Sequence, residues 1–192
     1  MVRTAECRGR ASFCLVSALF LCAMFLSFPG AAHAQTVLFG DQTVESQPDS
    51  NPLGMAEAFQ TTASTTGQIT YINLYVDTTS SATSIYVGLY SDAGGTPGAL
   101  LTQGTTASPK AGDWNAIPVT AVNVTAGTAY WIAILGTQSG TPVFRDNAEG
   151  VCVSETSSQT TLIALPNLWD TGYVYSTGSC PISAYGLTSA PS

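Results

Sequence analysis

Positive charge is scarce in this sequence, and beyond its first 34 residues there is no histidine at all. Five Lys and Arg stand against twelve Asp and Glu in 192 residues. Three of the five (Arg3, Arg8, Arg10) fall in the leading segment together with His33. Residues 35–192 are left with Lys110 and Arg145 against eleven acids, a formal charge of −9. Each shortage excludes a class of chemistry. Without histidine there is no Ser-His-Asp or Cys-His mechanism and no His-ligated zinc. With two cationic side chains there is no basic patch to neutralise phosphates, so nucleic acid is excluded as a partner. Long helical periodicity is also missing, as is any long apolar run after residue 34.

What is present begins with an export pattern. Arg3, Arg8 and Arg10 precede an apolar and small-residue stretch, Ala11–Phe28, and Pro29-Gly30 then breaks any helix. Ala32-His33-Ala34 supplies a small-x-small cleavage site before Gln35. This order predicts a signal peptide over 1–34 and a secreted, extracellular or periplasmic domain over 35–192, free of the membrane after cleavage. An uncleaved anchor is the alternative, since eighteen residues approach a bilayer span. Cys14 and Cys22 follow Phe13 and Leu21, not the small residue of a lipoprotein site, and Leu187–Ser192 carries no hydrophobic sorting tail. Cys152 and Cys180 remain in the exported part, and an even count in an oxidising compartment predicts a disulfide. Closing about 29 residues, it stabilises by about 3–4 kcal/mol on the chain-entropy estimate.

The exported part reads as short β-branched and aromatic runs between turn clusters, the pattern of a single antiparallel β-sandwich of jelly-roll type. Strands are expected near Thr36–Phe39, Met55–Thr61, Gln68–Val76, Ser84–Tyr90, Leu100–Thr105, Asn115–Val119 and Thr128–Leu135. Further strands are expected near Val143–Arg145, Val151–Ser154, Tyr173–Tyr175 and Ala184–Thr188.

Two runs carry the functional expectation. Ile72, Leu74 and Val76 share one face of the first, with Tyr71, Asn73 and Tyr75 on the other. Ile85, Val87 and Leu89 share one face of the second, with Tyr86, Gly88 and Tyr90 opposite. A hairpin through Thr79–Ala82 would pair Val76 with Ile85 and Tyr75 with Tyr86, and a one-residue slip would mix the two sets. That register predicts an aliphatic face for the core and a platform of four tyrosine rings for ligand, with Asn73 and bare Gly88 between them. Sugar rings stack on such aromatics while amides and hydroxyls bind their hydroxyl groups. The plainer reading is cross-strand tyrosine pairs that only stabilise a sheet, at about 0.2–1 kcal/mol each. Among the tryptophans, Trp131 lies in a run apolar on both faces and is expected in the core, and Trp114 is expected to cap it. Trp169, on a loop inside the expected disulfide, is the best tryptophan for a ligand contact.

Four glutamates and seven aspartates form no recognisable catalytic motif over 35–192. Asp146, Asn147 and Glu149, or Asp49 and Asn51, could offer oxygens to calcium, yet neither cluster matches a defined loop. No cofactor is expected. Asn123-Val124-Thr125 is a glycosylation triplet, meaningful only in a host that glycosylates.

From Ala56 to Ile132 the order Ala56-Glu-Ala-Phe59, Ile72-Asn-Leu74, Val87-Gly-Leu-Tyr-Ser-Asp92, Gly94-Gly-Thr-Pro-Gly-Ala-Leu-Leu101, Trp114 and Val124–Ile132 resembles the exported bacterial "choice-of-anchor" type of β-sandwich domain. The resemblance covers roughly half of the exported part. It implies a jelly-roll-like sandwich on a surface or secreted protein and brings no catalytic residues. The expectation is therefore a non-catalytic binding or adhesion module, with a polysaccharide or cell-surface glycan bound through Tyr71, Asn73, Tyr75, Tyr86, Tyr90 and Trp169. The alternatives are a structural matrix protein and a glycosidase that works with carboxylates alone.

Overall fold

Thr, Val, Ile and Tyr crowd the same pleated surfaces in this chain, and the outcome is strand. The computed structural model describes residues 35–177 and 179–190, so the export signal expected over 1–34 lies outside the described residues. Among the described residues no helix is long and apolar enough to cross a membrane.

In chain order the strands are β1 (Val37–Gly40), β2 (Gln47–Ser50), β3 (Ala56–Thr62), β4 (Gly67–Val76), β5 (Ser84–Asp92) and β6 (Pro97–Thr106). They continue with β7 (Asp113–Val124), β8 (Ala129–Thr137), β9 (Val143–Asp146), β10 (Ser154–Ser157), β11 (Thr171–Tyr175) and β12 (Ala184–Leu187). All pairings among them are antiparallel. One sheet runs β1-β12-β4-β9-β2, with β7 on the other flank of β4; the second runs β11-β10-β3-β8-β5-β6. The expected all-β sandwich is therefore present.

Two strands depart from expectation for local reasons. No strand is expected at β2, which contains Pro48, but it ends its sheet, where a missing N–H costs no ladder bond. The strand expected at Val151–Ser154 instead occupies Ser154–Ser157, paired with β3 through Ser154↔Phe59 and Thr156↔Glu57.

The core fills the gap between the sheets. Ile72, Leu74 and Val76 of β4 meet Ile85, Val87 and Leu89 of β5 there, with Phe39, Phe59, Ile117, Ile132 and Phe144. Fully burying each such side chain contributes about 1.5–3 kcal/mol. Phe59 and Phe144 meet edge to face at 5.7 Å, one from each sheet. Trp131 is buried on the other side of β8 and donates its Nε1–H to Asp92 Oδ1 at 2.9 Å. The backbones of β6 and β7 come so close that a Cβ on Gly104 would lie 2.0 Å from the Pro118 carbonyl oxygen. Cys152 and Cys180 are bonded, as expected, with Cα atoms 5.6 Å apart.

The hairpin expected between β4 and β5 does not form. β4 pairs with β7, β12 and β9, whereas β5 pairs with β8 and β6. The segment Thr79–Ala82 carries the chain from one sheet to the other, held by Ser81 N–H to the Thr141 carbonyl and Thr141 N–H to Ser81 Oγ. Both aliphatic faces do turn inward, but toward each other. Parity cannot distinguish these cases, because two inward-facing strands satisfy a hairpin and a sandwich equally.

Candidate functional site

Since side chains alternate along a strand, the tyrosine faces of β4 and β5 must point out of opposite sides of the sandwich. The four-ring platform is thereby split into two groups with different fates.

On the β5 side the rings are covered. Tyr90 is 0% exposed, donates its hydroxyl to the Pro166 carbonyl at 2.7 Å, and meets Trp169 edge to face at 5.3 Å. The segment after β10 lies across this face, with Leu100 N–H bonded to the Asn167 carbonyl and Trp169 N–H to the Gly98 carbonyl. Gln103 fastens it from both ends of its amide, donating to the Leu165 carbonyl and accepting from Leu165 N–H. Leu165 fills the space over Gly88, where a Cβ would lie 2.5 Å from its Cδ1. The bare glycine admits a leucine from the same chain. Tyr86 stays half-buried against this second apolar cluster. Trp169 thus packs on Tyr90 as part of the roof, and its buried Nε1 has no partner among the described residues.

On the β4 side the rings stay half-exposed and acquire two that the sequence reading had not placed with them. Trp114 of β7 lies opposite Tyr75 and meets it edge to face at 5.5 Å. It also meets Tyr185 of β12 at 5.1 Å, so it joins strands on both flanks of β4. Trp114 was expected to cap the core; it stands on the outer face instead. A signal for this was present, because Ile117 faces the core and Trp114 has the opposite parity along β7. Asn73 is 2% exposed, donates Nδ2–H to the Tyr185 hydroxyl at 2.6 Å, and keeps Oδ1 without a partner among the described residues. Beside the rings opens a cleft of about 430 Å³ lined by Tyr71, Trp114, Thr106, Ser108, Lys110 and Asn115. Aromatic walls, hydroxyls and one cation are what a hydroxyl-rich ligand can use. Such walls and polar points are the usual make-up of a ligand cleft.

Four buried carboxylates, Asp77, Glu155, Glu57 and Asp146, occupy three settings. Asp77 accepts Thr79 N–H and Thr79 Oγ1–H at 2.8 and 2.6 Å and the Arg145 Nε–H at 2.6 Å. These bonds, those from Thr79 foremost, hold its pKa down at about 2. Glu155 is buried beneath the β11 edge and accepts Thr171 Oγ1–H at 2.7 Å. Glu57 and Asp146 share a cleft at the β2/β9 margin, where burial above all pushes each pKa up to about 7, with the charge of Asp49 adding to it. For the calcium expectation, Asp49 and Asn51 line the same cleft as Asp146. Among the described residues, however, no three His, Cys, Asp or Glu groups are arranged to hold a metal ion.

Comparison of the chain with protein-family models, with curated proteins and with solved structures finds no match.

Proposed function

We propose that the chain is an exported, non-catalytic binding module whose ligand is a glycan, held on the outer face of the β1-β12-β4-β9-β2 sheet. The observation that carries this reading is the half-exposed trio Tyr75–Trp114–Tyr185 beside the Tyr71/Lys110 cleft. Ring faces supply stacking surface. Thr106 and Ser108 offer hydroxyls that a sugar can meet with hydrogen bonds. The export pattern over 1–34 and the resemblance to choice-of-anchor domains agree with an extracellular setting, and belong to the same proposal.

The carboxylate-only glycosidase is less well supported. Both oxygens of Glu57 already accept hydrogen bonds, from Asn51 Nδ2–H at 2.6 Å and Ser154 Oγ–H at 3.0 Å. Asp146 keeps Oδ1 without a partner among the described residues, but Glu57, which faces it from the other sheet, is held on both oxygens, where the usual mechanism needs a working pair.

The test is retention of purified residues 35–192 on a panel of immobilised polysaccharides, with Trp114→Ala and Tyr86→Ala beside the parent. Retention on at least one glycan, lost in Trp114→Ala and kept in Tyr86→Ala, is the expected result. No retention anywhere would favour a matrix role, and retention unaffected by Trp114→Ala would reject the site.

A further inference from the structure

We propose that the cleft at the β2/β9 margin is a second binding site, for the primary ammonium group of a small amine. It is independent of the glycan reading, since it lies between the two sheets and not on the outer face.

The cleft arises where the intersheet core changes character. Along β9, Phe144 points into the core, so Asp146 two residues on points inward too. Asp49 of β2 lies opposite Phe144, and Gln47 opposite Asp146, and paired residues share a face. Across the gap, Glu57 of β3 has the parity of core residue Phe59. Asp146 and Glu57 therefore occupy positions that hold phenyl rings one step further in, and Asp49 sits beside the Phe144 ring.

The resulting cavity, of about 230 Å³, is lined by Asp49, Glu57 and Asp146 with Asn51, Ser50 and Tyr175. Asp146 is 2% exposed and its Oδ1 has no hydrogen-bond partner among the described residues. Leaving a buried carboxylate oxygen unpaired costs several kcal/mol on the usual scale, unless a proton or a cation occupies the site. Neither cationic side chain of the exported part lines the cleft. The Arg145 guanidinium, one residue away, is turned to Asp77 Oδ2 at 2.6 Å and to the Ser46 carbonyl at 3.0 Å.

An ammonium group matches these walls. It has three donors and no acceptor, against carboxylates that only accept. The Tyr175 ring adds a surface that attracts cations. It is backed by Tyr173, whose ring centre lies 4.7 Å away. A divalent metal is matched less well, because no three acids converge on one point among the described residues. Protons compete for the same site. The groups that face Asp146 are Asp49 from β2, Glu57 from β3, Glu45 from the segment before β2, and Tyr175 from β11. Amine affinity should therefore rise as these acids ionise.

The test is calorimetric titration of the chain with n-butylammonium chloride at constant ionic strength, at pH 5 and pH 8. N-butylacetamide and calcium chloride serve as parallel titrants. Saturable one-to-one binding of the ammonium salt is expected, at least tenfold tighter at pH 8, with none by the amide. Asp146→Asn should weaken it at least tenfold. Asp49→Asn, at a half-exposed position, should weaken it as well if the first variant folds poorly. Absence of saturable binding at pH 8, equal binding of the amide, or unchanged affinity in both variants would overturn the proposal. Stoichiometric calcium that displaces the amine would overturn it too, by making the site a metal site.

Discussion

The two outer faces of this sandwich began as the same sequence idea, tyrosine alternating with small or polar residues, and ended as opposites. On β5, Tyr86, Gly88 and Tyr90 are met by a segment whose Leu165 and Trp169 complete a second small core. On β4, no such segment covers Tyr71, Asn73 and Tyr75 among the described residues, and their neighbours are Trp114 and Tyr185 from flanking strands. An aromatic strand face is thus not by itself a binding face. Whether the chain later returns to cover it decides the matter, and that return lies 76 residues downstream, from Tyr90 to Pro166.

The comparison is broken most directly at Tyr90. Tyr90→Ala removes a fully buried ring and leaves the Pro166 carbonyl without its donor, so a loss of about 3–5 kcal/mol is expected in urea unfolding. A loss under about 1 kcal/mol would mean that the roof is not packed as described.

Next in size is the response to pH. Glu57 and Asp146, with pKa values near 7 in the folded chain against 4.5 and 3.8 ordinarily, hold their protons more tightly folded than unfolded. Their contribution is therefore full below about pH 4 and is lost as pH rises toward and past 7. Asp77, lowered from 3.8 to about 2, acts in the opposite sense, contributing above about pH 4 and losing its effect as pH falls toward 2. Urea midpoints should peak on the acid side of neutrality, and Asp146→Asn should flatten the decline between pH 5 and 8. A midpoint that rises across that interval would contradict the burial of these acids.

Gly88→Ala sharpens the contrast between the faces. The new methyl meets Leu165 Cδ1 and the Thr102 carbonyl, and overpacking of this kind costs about 1–3 kcal/mol. Smallest in stability is Tyr75→Ala on the open face, at about 0.2–1 kcal/mol, yet this variant should reduce glycan retention while Gly88→Ala leaves it intact. The reverse pattern would move the ligand to the other face.

Much of this architecture could be read from the residues. The inward sets on β4 and β5, the buried Trp131 and the Cys152–Cys180 bond follow from alternation, a doubly apolar run and an even cysteine count. The partner of each strand could not be read in the same way. β4 and β5 present matching aliphatic faces, and matching serves a pair of layers as well as a hairpin. Trp114 was legible through its parity with Ile117, but the adjacent Gly112-Asp113 suggested a strand start and nothing about its face. The inward acids were the hardest. Asp49 follows a proline in a segment where no strand is expected, and only its pairing opposite Phe144 places it inside.

The Cys152–Cys180 bond acquires a further meaning from its position. Cys152 leads into β10 of one layer and Cys180 toward β12 of the other, and neighbouring Ser179 borders the acid-lined cleft. The covalent clasp therefore spans the seam where like charges press the layers apart once protons are withdrawn. With both thiols reduced and capped beforehand, the chain should therefore tolerate alkali less well than the bonded form does.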